Sequence, residues 1–181
     1  MLQIIIPEQE LWDEKNQQFL KTKAQTLKIE HSLVSLSKWE SKWCKAFLGK
    51  EEKNIEEIID YIKCMTLTQN VNPNVYNLLT DKNIEDINAY IEAPMTAYKW
   101  YSDESGGKIN KEQITAELIY YWMITLNIPF ECQKWHLNRL LTLIRVINLK
   151  NSPPKKLSRS EIIARNQRLN KQRRAKLNSK G

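Results

Sequence analysis

Glycine is scarce, with four in 181 residues. All-β folds use glycine freely at turns, so its shortage argues for helices. Cysteine is rarer still. Cys44, Cys64 and Cys132 are odd in number and widely spaced, and the N-terminal run Met1-Leu2-Gln3-Ile4-Ile5-Ile6-Pro7 lacks the basic region of a secretory signal. A reducing compartment without disulfides is therefore expected. Long apolar runs are also missing. Leu118 to Leu126, the most apolar stretch, has about half the roughly 20 residues a membrane span needs, so no membrane segment is expected.

Histidine occurs twice, as His31 and His136. Neither neighbours a nucleophile elbow or a catalytic cysteine signature. Cys132 and His136 would share one helix face at i, i+4, but the remaining His31, Cys44 and Cys64 are scattered, so the four ligands of a structural zinc are not met. Gly106-Gly107-Lys108 lacks the upstream glycine and the downstream Ser/Thr of a phosphate loop. Acid pairs such as Glu56-Glu57 are ordinary charges at a helix start. These absences point to a protein that is not an enzyme and has no metal and no cofactor.

What the chain does have is charge asymmetry. Its net charge is +7, yet residues 155–181 hold ten Lys/Arg and one acid, Glu161. That segment carries +9 and the rest −2. A polyanionic or acidic partner is implied for the tail alone.

Apolar periodicity gives the outline. Leu2–Ile6, stopped by Pro7, reads as a strand, and residues 19–23 and 26–30 alternate in the same way, so a small antiparallel sheet is expected over residues 1–30. From Ser32 the spacing turns helical. Leu33, Leu36, Trp39 and Trp43 form a stripe that Ser32 would cap and Gly49 would end. Asn54 caps a helix with Ile55, Ile58, Ile59, Ile62 and Met65 on one face. Pro73 opens a short turn, and Thr80 caps a helix bearing Ile84, Ile87 and Ile91. Residues 93–110 are the main break and carry Tyr98, Trp100 and Tyr101, which mark a candidate partner-binding loop. Helices over 111–127 (buried face Ile114, Leu118, Tyr121, Trp122, Thr125) and 131–149 should form an αα-hairpin, joined by a tight Asn127-Ile128-Pro129 turn, at the centre of the core. The fold class is α+β, mostly α: a small N-terminal sheet, about six helices and a basic helical tail. The domains are a body, 1–152, and a tail, 153–181, separated at Pro153-Pro154.

In the tail, Ser158 and Glu161 have capping-box spacing. Candidate partner-binding residues there are Arg159, Arg165, Arg168, Lys171, Arg173 and Arg174, with Ile162 and Leu169 as apolar anchors. Trp39 and Trp43, with Lys38 and Lys42, have the makings of a base-stacking platform, but aromatics at helical spacing belong more often to a core.

The strings Leu33-Val34-Ser35-Leu36-Ser37-Lys38-Trp39-Glu40-Ser41-Lys42-Trp43, Tyr61-Ile62-Lys63-Cys64-Met65-Thr66, Asn127-Ile128-Pro129-Phe130-Glu131 and Pro153-Pro154-Lys155-Lys156 resemble the tail assembly chaperones, small proteins encoded in the tail modules of siphophages and prophages. The resemblance covers most of the chain outside residues 97–108. It implies a cytoplasmic protein of the infected host that binds the long helical tape measure protein, keeps it soluble and recruits tail tube subunits. It also implies several copies on one partner, no cofactor and no catalytic residues, and in some relatives a longer form made by frameshifting. Two other functions fit the same residues: nucleic-acid binding through the basic tail, and a structural part of the virion such as a head–tail connector.

Overall fold

The computed structural model describes residues 1–13, 18–98, 113–151 and 159–177, with the backbone alone at Gln9, 11–13 and 18–22. The chain divides into two compact units, 1–147 and 148–181. The first is built on a β-ribbon followed by helices, an α+β arrangement that is mostly α.

Strand β1 (Leu2–Ile6) pairs antiparallel with β4 (Gln25–Ile29), and β2 (Gln9–Asp13) with β3 (Gln18–Thr22). Leu2 faces Ile29, Ile6 faces Gln25, Gln9 faces Thr22 and Asp13 faces Gln18, so one register runs through both pairs. The ribbon is interrupted at Pro7, which has no N–H to give a ladder. Strand β2 was not legible in the sequence, because Gln9, Glu10 and Asp13 are poor strand formers; its pairing with β3 supplies what propensity does not. In β1 and β4, Ile4, Ile6, Leu27 and Ile29 turn inward while Ile5 and Lys28 face out. Residues 65–67 cover the outer edge of β4: Glu30 N–H donates to Met65 O (2.9 Å) and Leu67 N–H to Lys28 O (2.7 Å).

Helix α1 spans Leu33–Trp43, α2 Ile55–Met65 and α3 Asp81–Glu92, with a 3₁₀ turn at Pro73–Leu78. Ser32, Asn54 and Thr80 cap them as expected, Asn54 in a reciprocal box with Glu57. Helix α1 ends earlier than Gly49: Cys44 takes the left-handed conformation (φ 52°) and donates its N–H to Glu40 O.

Two further expectations need correction. Helix α4 covers Ala116–Thr125, capped by Thr115, so Ile114 lies outside it. Its buried face is Ala116, Ile119 and Met123, whereas Tyr121 is 60% exposed and Thr125 lies at the surface. Ala-Glu-Leu-Ile-Tyr-Tyr-Trp-Met-Ile-Thr is apolar nearly all round, so periodicity could not choose the inner face. Residues 130–134 form a 3₁₀ turn, and α5 begins only at Leu137 and runs to Asn151. Ser32 pairs with His136, and Leu137 N–H donates to His31 O (2.7 Å), which holds this backbone extended. Cys132 and His136 therefore share no helix face, and the link between α4 and α5 is longer than a tight turn.

Two cores result. The first joins the ribbon, Trp39, α2, the Pro73 turn and Ile87; the second joins Leu33, Leu36, Ala116, Ile119, Met123, Cys132, Leu137, Leu140 and Ile144. Helix α1 contributes to both and is the hub, the position expected for the α4/α5 pair. Glu40 reinforces it. Its carboxylate accepts from Phe47 N–H (2.8 Å) and Ala116 N–H (2.7 Å), tying the loop after α1 and the start of α4 to one side chain. Burial pushes that carboxyl above its ordinary range, against those two hydrogen bonds.

The second unit is described by α6, Arg159–Leu177, 19 residues of which none is buried.

Candidate functional site

A shallow groove runs between α2 and α3. Its floor is aromatic: the Phe47 and Tyr61 rings stack with centroids 3.7 Å apart, braced by the edge-on Trp39. Ile58 and Ile62 form one wall; Ile84, Ile87 and Ile91 form the other. Asn88 is the lone polar side chain along the walls. Ile55, 75% exposed, extends the apolar surface from the first turn of α2.

The charge beside the groove follows from helix geometry. Asp81, Glu85 and Glu92 stand at i−7, i−3 and i+4 from Asn88, so they adjoin the lining stripe on the α3 surface, where all three are exposed. The groove is apolar within and acidic along that rim. Its inner lining, Tyr61, Ile62 and Ile87, is buried core, so the part open to a partner is the outer edge: exposed Ile55 and Ile58, half-buried Ile84 and Ile91, and those acids.

Trp39, buried with its indole N–H donated to Glu57 O (2.8 Å), stacks on half-buried Trp43, whose indole donates to Asp60 (2.9 Å). The pair is a brace of the first core, with Trp39 buried and Trp43 partly buried against it.

The two histidines, far apart in sequence, meet inside the body with ring centroids 5.2 Å apart. The Tyr61 hydroxyl lies 2.6 Å from His31 Nδ1. His136 Nε2 lies 2.9 Å from the Tyr90 carbonyl, and its Nδ1 accepts from Asn138 N–H at 3.3 Å. A ring facing a carbonyl at Nε2 and an N–H at Nδ1 is neutral and protonated on Nε2. Tyr90 donates its hydroxyl to Glu30 (2.7 Å). Burial, then the neighbouring His136, pushes His31 down to about 4; burial also lowers His136 and raises both tyrosines. The arrangement joins β4, α2, α3 and the start of α5 through neutral rings. The contacts that close it, Tyr61 with His31 and His136 with Tyr90, join residues 30 and 46 apart in sequence, and no local motif announces it.

Of the tail candidates, Arg159, Ile162, Arg165, Arg168, Leu169, Lys171, Arg173 and Arg174 all lie exposed on α6. Tyr98 is exposed, with its N–H donated to Thr96 Oγ1 (3.0 Å). Trp100 and Tyr101 lie outside the described residues, as do Ser158 and the proline pair Pro153-Pro154. Among the described residues no cluster of three or more His, Cys, Asp or Glu is arranged to hold a metal, and no helix is long and apolar enough to cross a membrane. No protein-family model, curated protein or solved structure matches the chain.

Proposed function

We propose that the protein is a non-enzymatic binding protein of phage tail assembly, a chaperone that takes helical segments of the tape measure protein onto the apolar edge between α2 and α3 and presents them to tail tube subunits. The observation that carries this reading is the apolar edge between α2 and α3: Ile55 and Ile58 exposed, Ile84 and Ile91 half-buried, with exposed acids along the α3 side. An exposed apolar edge of that chemistry favours an apolar, basic-edged helix over a small polar substrate. The family resemblance supplies the identity of the partner. The test is co-expression with the tape measure protein. The wild-type chain should keep it soluble and co-purify with it, and Ile58→Asp, at a part-exposed wall position, should not. A tape measure protein held equally well by that variant would refute that edge as its seat.

A second reading rests on a different observation. The basic residues of α6, Arg159, Arg165, Arg168, Lys171, Arg173, Arg174 and Lys176, surround the helix, with Asn166, Gln167, Asn170 and Gln172 between them. A major groove flanks an inserted helix with phosphates on both sides and offers base edges to amides. Nucleic-acid affinity that falls steeply with salt, by nearly one log unit per log unit for each phosphate contact, would favour this reading. Affinity indifferent to salt would exclude it.

A further inference from the structure

We infer that helix α3 is a flap, latched over the apolar side of α2 by His136 and Asn138, and that acid releases it while the ribbon, α1 and α2 stay folded.

Of the helices α1 to α3, α3 is the least anchored. Only Ile87 and Tyr90 of its 12 residues are buried, against five residues each in α1 and α2. Ile84 and Ile91 are half-buried, and the seam between this stripe and Phe47, Ile58, Tyr61 and Ile62 holds a cavity of about 50 Å³. Side chains around such a gap forgo contacts that a filled seam would make. Elements with few buried contacts open before the rest of a fold. On its N-terminal side α3 follows the buried Val75, Tyr76 and Leu78 through only Leu79 and Thr80, both extended, which can serve as the hinge.

The latch lies at the other end and is polar. The last carbonyls of a helix lack full partners within it. Here His136 Nε2–H donates to Tyr90 O (2.9 Å), and Asn138 Nδ2 donates to Ile91 O (2.8 Å) and Ala93 O (2.9 Å). The Tyr90 hydroxyl adds a tie to Glu30 (2.7 Å).

A proton on His136 undoes this arrangement. Nδ1 accepts from Asn138 N–H, so protonation there sets donor against donor. The His31 ring stands 5.2 Å away, and two charged rings at that distance inside the body repel. The titratable groups around the pair are Tyr61 from α2, Tyr90 from α3, and Glu30 after β4, which is itself paired with the Met1 amine (2.9 Å); α1 brings Ser32 and Ser35. Burial, the largest influence, keeps His136 neutral against the Tyr90 carbonyl and Glu30, which favour its charged form, and the Met1 amine acts with burial. With α3 swung away, His136 meets water and takes its proton in the ordinary range, so opening gains as pH falls below about 6.5. Opening uncovers Phe47, Ile58 and Ile62, a larger apolar face than the closed seam offers.

Hydrogen exchange read by mass spectrometry on the full-length chain, at about pH 7.5 and about pH 5 and scaled to the intrinsic rate at each pH, tests this. Amides of residues 84–92 should lose at least ~10-fold of their protection at the lower pH, while those of β4 and α2 keep theirs. His136→Gln retains a donor for the Tyr90 carbonyl and cannot titrate, so its α3 should stay protected. Asn138→Ala removes two latch bonds and leaves both rings, so its α3 should already be about 10-fold less protected at the higher pH. Should His136→Gln fail to fold, the wild type and Asn138→Ala still decide. Exchange of α3 only in step with β4 and α2 would mean global unfolding alone and overturns the proposal. So does α3 protection that pH leaves unchanged, that Asn138→Ala leaves unchanged, or that acid lowers equally in His136→Gln.

Discussion

Acidification should weaken the body through His31 before the carboxylates contribute much. The ring is 2% exposed and edge-on to His136 and Tyr61. Burial first, and His136 second, lowers its proton affinity from the ordinary 6.5 to about 4. Below pH 6.5 the unfolded chain takes a proton at this position that the folded chain refuses. The unfolded state then binds more protons, so stability falls as pH falls and the loss levels off below about pH 4. Between about pH 7.5 and about pH 4.5 the His31 contribution amounts to about 2.5 kcal/mol, from ~1.4 kcal/mol per pH unit over a window of about two units. That is a large part of the roughly 5–15 kcal/mol stabilising a typical domain. His136, also lowered by burial, adds in the same direction. The assay is urea unfolding over a pH series for the wild type and His31→Gln. Glutamine can still accept from the Tyr61 hydroxyl but cannot titrate, and the carboxylates common to both proteins cancel in the difference. The variant should lose markedly less stability across the window. Equal losses in the two proteins would refute the reasoning.

Leu140→Ala, at a fully buried position of the second core, should cost about 2–5 kcal/mol in denaturant titration, whereas Tyr121→Ala on the outer face of α4 should change stability by less than about 0.5 kcal/mol. Glu40→Ala orphans the Phe47 and Ala116 N–H groups and should cost roughly 2–5 kcal/mol, with Glu40→Gln recovering part because one acceptor oxygen remains. A chain truncated after Asn151 should keep a single cooperative melting transition, since its compact unit ends at residue 147; a truncation that fails to fold would show that the body needs the tail.

Local signals carried far into this fold. Ser32, Asn54 and Thr80 announced three helix starts because a cap needs only a side-chain oxygen and the next three residues. The stripe Ile84, Ile87, Ile91 gave the inner face of α3, and Ile4, Ile6, Leu27 and Ile29 gave the inner face of the ribbon, because each element has one face clearly more apolar than the other. The basic helix of the tail was legible for a similar reason: its charge lies in consecutive residues.

Where local preference was weak or even, the fold decided. Strand β2 exists because β3 lies opposite it, and α4 turns Ala116, Ile119 and Met123 inward because α1 packs there while its own sequence is apolar all round. Residues 135–136 leave the helical path because Ser32 and His31 claim the backbone of His136 and Leu137. The groove could not be read from sequence at all. The stripes of α2 and α3 each read as an ordinary buried face, and only their separation across Phe47 and Tyr61 leaves part of both uncovered. The sequence by itself thus determined the caps, the apolar faces and the basic tail, all properties of neighbouring residues. Tertiary structure alone decided the His31–His136 contact, the hub role of α1 and the small apolar depression between α2 and α3, because each depends on distances between segments that no local pattern encodes.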